Sequence, residues 1–298
     1  MIQKRSSPQL IDYLTLVALS LIWGTSYILI KRGLEVFTPA QVATLRLGIS
    51  ALALLPFAVV HLRKISWSQV PLLIVIGITG TGLPSFLFPF AQTELSSSLT
   101  GMLSSLTPLC TFIVAYFIFG SREGSNRQLA GVLVGLCGAI LLAWAAPGVT
   151  GQTTRFLYTG FILMACFCYA ISSNLVGAYF KETSALTITV TSFVLVGTPA
   201  LIWALSAGAV LDVVLSTADG AGWWALGYVA FLAVFSTVLS SVVFFRMVQR
   251  TGAVFASTVS YIIPLVALSW GLLDGEALSY WQLPAVALVL VGVWLSKR

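Results

Sequence analysis

Apolar residues along this chain gather into ten long runs, at approximately 10–30, 39–61, 70–91, 96–119, 128–146, 157–178, 185–207, 222–245, 252–273 and 280–296. Crossing a hydrocarbon core as a helix takes about 20 consecutive apolar residues, so each run predicts a transmembrane helix. Charged or turn-forming clusters separate nearly every pair; the links after the third and eighth runs are the tightest. The run from Leu10 to Ile30 is longer than the apolar region of a signal peptide. It continues into WGTSYILIKR with no small-residue cleavage site, so it is read as the first span.

The pattern occurs twice. Thr81 to Pro108 can be laid without a gap on Thr237 to Pro264, with Thr81 on Thr237, Leu83 on Leu239, Ser85 on Ser241, Phe88 on Phe244, Ser104 on Ser260 and Pro108 on Pro264. The chain thus divides into repeats at 1–147 and 156–298. Five spans per repeat is an odd number, so the copies would lie in opposite orientations, the internal symmetry that secondary transporters use to alternate access. The expected fold is an all-α polytopic membrane protein built from two inverted five-helix repeats.

Composition agrees with the runs. The 298 residues are 58% hydrophobic and 8% charged, against roughly 25% charged in soluble domains. With the amino terminus cytoplasmic, the inside segments hold Lys4, Arg5, Arg63, Lys64, Arg122, Arg127, Lys181, Arg246, Arg250, Lys297 and Arg298, and the outside loops only Lys31, Arg32 and Arg155. This is the positive-inside bias; it places both termini in the cytoplasm and accounts for the basic balance without nucleic acid. The expected location is the plasma membrane, the inner membrane if the cell is bacterial.

Polar residues inside the runs supply the candidate chemistry. Thr100, Ser104, Thr107 and Thr111 recur at helical spacing on one face of the fourth span, and Ser257, Ser260, Tyr261 and Pro264 on a similar face of the ninth. Such stripes suit a cavity wall, and equally a seam where small polar residues let helices approach. Pro108 and Pro264 occupy the same place in the two repeats. Because proline removes an intrahelical hydrogen bond, they are candidate hinges or static kinks. Arg46 is the ionisable residue set clearly inside a span, about two turns from its outer end. It can hold a substrate carboxylate or snorkel outward and fix helix packing. Lys31 and Glu35 are expected to be interfacial and solvated.

Trp67, Trp223, Trp224, Tyr280 and Trp281 lie near span ends and read as belt anchors. Trp23, Tyr27, Phe86, Phe90, Tyr169 and Tyr261 share spans with polar side chains and could line a mixed pocket or simply pack. Gly131-x-x-x-Gly135-x-x-Gly138 is a close-packing signature. Cys110, Cys137, Cys166 and Cys168 fall in spans without metal-ligand or disulfide spacing and read as buried thiols.

An enzyme needs a nucleophile with a base, paired carboxylates or metal ligands. The one histidine, His61, sits at a span end and there is no HExxH. A channel would need rings of charge or carbonyls, and no filter-like run occurs. Asp12, His61, Glu94 and Asp274 are all near span boundaries, so proton coupling through an intramembrane carboxylate is not expected and facilitated diffusion or exchange is.

Trp23-Gly24-Thr25-Ser26-Tyr27 followed by Lys31, Pro39 opening a span with Arg46, a Pro108 span ending near Glu123, and a Gly-rich fifth span resemble the EamA-type drug/metabolite transporters. The second half repeats this with Tyr169-Ala170, Pro264, Glu276 and Gly292, but departs at Ala185 and Ser192, which align with Pro39 and Arg46. Within that superfamily the chain is most similar to YddG-type amino-acid exporters. The resemblance implies ten helices in a five-plus-five inverted fold, export of small metabolites, and a place for Arg46 near a helix end, which favours its packing role. The candidate substrate-lining residues are Trp23, Tyr27, Arg46, Ser85, Phe86, Thr100, Ser104, Tyr169, Ser241, Ser257, Ser260 and Tyr261. No metal or other cofactor is called for. Small-molecule substrate and lipid bilayer are the expected partners, with the chain a monomer or weak homo-oligomer. Passive channel and efflux of multiple drugs or cationic compounds are the alternatives.

Overall fold

A computed structural model describes residues 9–120, 126–145, 152–206, 209–277 and 279–296. Lys4, Arg5, Arg122, Glu123, Ser125, Lys297 and Arg298, and the side chains of Arg127 and Arg155, lie outside the described residues. The described chain is helical throughout: α1 Leu10–Leu34, α2 Pro39–Leu62, α3 Trp67–Ala91, α4 Ser97–Phe117, α5 Asn126–Trp144, α6 Gln152–Tyr179, α7 Ala185–Ser206, α8 Ala209–Ser216, α9 Ala221–Thr251, α10 Ala253–Leu273 and α11 Gln282–Ser296. All ten apolar runs fall on helices. Eight of these are long and apolar enough to cross a membrane, while α5 and α11 carry the shorter apolar stretches Leu133–Leu142 and Gln282–Gly292. The additional short helix, α8, fills what the sequence leaves as a link.

Local chemistry sets the helix ends. Thr38 caps α2, accepting from Gln41 N at 3.3 Å, with Pro39 in the first turn where its missing N–H is harmless. Ser96 caps α4 through Leu99 N. Gly252, at φ 94°, takes a backbone conformation closed to most residues and separates α9 from α10.

Inside the helices the irregularities come in matched pairs. A π-helical segment occupies Ile78–Gly82 of α3 and another Leu232–Leu239 of α9, around the aligned Thr81 and Thr237. In α9 the Thr237 and Ser240 hydroxyls each donate to the carbonyl five residues back, Leu232 O at 3.0 Å and Phe235 O at 2.8 Å. A 3₁₀ segment precedes each repeat proline, Ser104–Leu106 before Pro108 and Ser257–Tyr261 before Pro264. The Ser/Thr runs explain these tightened turns. Ser104, Ser105 and Thr107 donate to the carbonyls three residues back, as do Ser257 and Thr258. Each proline then opens the following α-helical stretch. The break therefore lies on the amino-terminal side of the proline, in the turn whose hydrogen bond to the carbonyl four residues back the proline removes.

Helices pack in equivalent partners. The most extensive contacts join α2 to α7 and α5 to α11. Aligning Pro39 on Ala185 makes Ala51 and Gly197 equivalent, and the two meet: a Cβ added at Gly197 would lie 2.8 Å from the Ala51 Cβ. The Gly-rich seam of α5 behaves as its spacing predicts, since a Cβ at Gly138 would fall 2.7 Å from Val289 N of α11. Of the cysteines, Cys110, Cys166 and Cys168 are buried; Cys137 is exposed, correcting the expectation for that residue.

The burial pattern is that of a protein in lipid. Large apolar side chains such as Leu21, Val59, Ile140 and Leu265 face outward, while hydroxyls such as Ser104, Ser172, Thr237 and Ser260 are buried. The free energy of placing Leu outside is small when the solvent is hydrocarbon, whereas a lipid-facing hydroxyl lacks partners. Trp67 and Tyr280, 90% and 94% exposed at helix ends, suit anchoring at an interface.

Candidate functional site

Segments of α1, α2, α3, α4, α6, α9 and α10 surround one central cavity enclosing about 840 Å³ counted out to its opening. Its wall is mostly aromatic and hydroxylic. Tyr27 meets Phe88 edge to face at 5.6 Å, and Phe88 stacks on Tyr169 at 6.0 Å. Across the cavity Trp23 meets Phe244 edge to face at 5.1 Å. The Trp23 indole N–H donates to Ser236 O at 2.8 Å, inside the π segment of α9, where widened winding alters the carbonyl ladder.

Arg46 enters this wall from α2. It is 7% exposed, and its Nε donates to Thr237 Oγ1 at 2.8 Å. The Tyr169 hydroxyl lies within hydrogen-bonding reach of the guanidinium, and Tyr27 stands nearby beside Ser104. The helix turn beneath is pinned by Ser50, which donates to Arg46 O at 2.7 Å and reaches Ala233 O at 3.2 Å. Among the described residues no carboxylate pairs with Arg46. The alternative in which it snorkels outward is thus corrected: the guanidinium turns inward to the cavity. A buried cation without a counter-ion carries a large desolvation cost unless its environment or a ligand offsets it.

Of the sequence-predicted residues, Trp23, Tyr27, Arg46, Ser104, Tyr169, Ser241, Ser257 and Ser260 line the cavity. Ser85, Phe86, Thr100 and Tyr261 are not in its lining. Ser85 is buried in α3, and Thr100 donates to Ser96 O at 2.9 Å within its own helix. Tyr261 packs against the central apolar core. Phe88 takes the place expected for Phe86, since residues two apart on a helix point to different faces. Pro108 and Pro264 are buried behind the wall, next to the 3₁₀ turns that contribute to it. Missed by the sequence reading are Ser26, Phe88, Ser172, Ser236, Thr237 and Phe244. The repeat alignment held part of the signal, because it pairs Phe88 with Phe244.

A second group of charges sits at one end of the bundle, and here every member is paired. Lys31 Nζ contacts Asp274 Oδ2 at 2.5 Å and Glu276 Oε1 at 2.9 Å. Arg32 bonds Asp274 and pairs with Glu35 at 2.6 Å. Glu276 also receives Ser97 N and Ser98 N, each at 3.0 Å, together with both hydroxyls, so its carboxylate caps the amino terminus of α4. Burial alone would push Glu276 up; hydrogen bonds led by the Ser98 hydroxyl and the Lys31 ammonium outweigh it and hold the carboxyl at about 2. The expectation of a solvated Lys31 is corrected by this network, whereas Glu35 is exposed as expected. At the opposite end, Asp12 is buried, accepts from Gln9 N at 2.9 Å and lies 3.4 Å from Arg250. Among the described residues there is no group of three or more His, Cys, Asp or Glu able to hold a metal ion.

The sequence profile of the EamA-like transporter family matches residues 10–144 and, separately, residues 157–298. The chain belongs to that family. This EamA-like transporter is 25% identical to a protein of Salmonella typhimurium named a probable amino-acid metabolite efflux pump, over 92% of this chain and 91% of that one. It is 26% identical to a WAT1-related chloroplastic protein of Arabidopsis thaliana, over 96% of this chain and 69% of that one. An uncharacterized inner membrane transporter of Escherichia coli K12, YedA, is 24% identical over 94% of this chain and 88% of its own. A solved crystal structure shares the fold, with a TM-score of 0.61 at 18% identity over 97% of each chain. The protein is accordingly a multi-pass membrane transporter.

Proposed function

We propose that this transporter exports amino acids or similar small neutral metabolites by alternating access, with two inverted five-helix repeats, 1–147 and 156–298, rocking about the central cavity. The observation that carries the reading is the cavity itself: an aromatic and hydroxylic wall drawn from both repeats, with one buried guanidinium set into it. The paired irregularities, π segments in α3 and α9 and 3₁₀ turns before Pro108 and Pro264, give each half a matching weak point at which a helix can bend. The printed name of the Salmonella relative favours amino-acid metabolites and outward movement. Efflux of cationic compounds fits less well, since the cavity's fixed charge is positive.

The protein sits in the plasma membrane with both termini inside. Single cysteines at Ser66 and Ser184 should be shielded from impermeant thiol reagents in intact cells, and ones at Thr38 and Ser216 should react; all four positions are exposed. Labelling of both sets from outside would refute this orientation. For function, purified protein in liposomes should show counterflow of a labelled amino acid with no ion gradient imposed. Uptake that requires a proton gradient and vanishes with a protonophore would overturn uncoupled exchange, and saturation-free flux would favour a channel.

A further inference from the structure

We infer that the cavity recognises its cargo through a carboxylate bound at Arg46 and makes no use of a cargo ammonium group, so that carboxylic acids lacking the amine are also cargo. This deepens the carrier reading above and rests on it.

The argument starts from charge. Arg46 is buried, faces the cavity and has no carboxylate partner among the described residues. Its Nε is already held by Thr237. That bond orients the guanidinium, which the Tyr169 hydroxyl also reaches, and of its five N–H donors several remain for a planar anion. Arginine's fork matches a carboxylate in a two-point contact, and excluding water strengthens that contact.

The ammonium of an amino acid finds no equivalent. Among the described residues no Asp or Glu lines the cavity. An aromatic face could serve a cation instead, but Tyr27, Phe88 and Tyr169 are stacked or set edge to face with one another, as are Trp23 and Phe244. Serine hydroxyls such as Ser257 and Ser260 remain, and those serve an amine, a hydroxyl or a water alike. A cationic amine without a carboxylate would enter against the Arg46 charge with nothing gained.

The test uses the wild-type protein and matched triads of ligand: an amino acid, its deaminated carboxylic acid and its decarboxylated amine. One triad is aromatic (phenylalanine, 3-phenylpropionate, phenethylamine) and one branched aliphatic (leucine, 4-methylpentanoate, isopentylamine). Binding is read from the fluorescence of Trp23 against a Trp23→Phe control, and transport from competition with labelled amino acid in liposomes. Acid and amino acid should fall within about fivefold of each other, and the amine should be weaker by at least about 30-fold, the factor typical of losing one partner of a buried charge pair. In Arg46→Gln the acid should lose that advantage over the amine, and Arg46→Lys should restore part of it.

An amine that competes as well as the acid, or an acid that fails where the amino acid succeeds, overturns the inference while leaving the carrier intact. Flux of no member of either triad, nor of any labelled amino acid, would instead remove the carrier reading on which it stands. The triad comparison needs no variant, so misfolding of an Arg46 substitution leaves it decisive.

Discussion

The two groups of charge in this transporter differ in one respect. At the end of the bundle Lys31, Arg32, Asp274 and Glu276 neutralise one another and join α1, α4 and the turn after α10. In the centre Arg46 has hydroxyls around it and, among the described residues, no counter-ion. The first arrangement is complete without a ligand and therefore acts as a fastening. The second becomes complete only when something anionic arrives, and an incomplete buried charge is what a binding site needs.

The comparison is broken most directly by exchanging the roles. Arg46→Gln should cut carboxylate transport by at least about 30-fold while the protein remains folded and monodisperse, because the charge removed has no counter-ion among the described residues and the glutamine amide nitrogen falls where Nε bonds Thr237. Glu276→Gln should do the reverse, lowering the melting temperature in detergent while leaving the affinity for cargo within a few-fold. The variant loses the charge-assisted bonds to Lys31 and to the start of α4 while Lys31 keeps Asp274, a cost of about 2 kcal/mol. Size-exclusion profiles, thermal melts and counterflow on both variants settle the matter. If Arg46→Gln unfolds and Glu276→Gln abolishes binding, the assignment of fastening and site is inverted.

Next in size is the response to acid, which concerns only the fastening. Glu276 is held at about 2 from an ordinary value of 4.5. A depressed folded pKa means stability that is fully present above the unfolded value and lost as pH falls through the folded one. The melting temperature should therefore be flat down to about pH 5 and decline from there toward pH 2, with a linked contribution of about 2 kcal/mol once screening at its partly exposed partner Lys31 is discounted. In Glu276→Gln this part of the decline should be missing. An unchanged acid limb in the variant would show that other groups carry it.

How much of this was legible in the sequence depends on what each residue answers to. The helices answer to hydrophobicity, and all ten runs fall on helices because runs of some twenty apolar residues have few other solutions in lipid. Ser104 and Ser260 were legible from the repeat: a polar residue kept at the same place in both halves turned out to face the same cavity. Lys31 was misread because charge pairing is a long-range fact; Asp274 and Glu276 lie more than 240 residues away, and nothing local shows that the chain returns to that helix end. The two roles open to Arg46 could not be separated in the sequence for a related reason. Its distance from the helix end permits snorkelling, and only the position of Thr237, in a π turn of another helix, reveals that the side chain is held inward. Phe88 and Thr100 turned on helix phase, which a 3₁₀ or π segment shifts and periodicity alone does not follow.

The smallest effect sharpens the central region from within. Thr237 accepts from Arg46 Nε and donates to Leu232 O, five residues back, so one hydroxyl couples the π turn of α9 to the guanidinium of α2. Thr237→Val keeps the shape and removes both bonds. If Thr237 only orients a guanidinium that the cargo then satisfies, the loss is that of a single hydrogen bond to a charged group, about 1.5 kcal/mol or roughly tenfold in affinity for the carboxylate, with affinity for an uncharged amide of the same body changed far less. Equilibrium binding of the acid and its amide to wild type and variant measures this directly. An equal loss for both ligands would mean that Thr237 shapes the cavity through the π turn and that Arg46 is positioned without it.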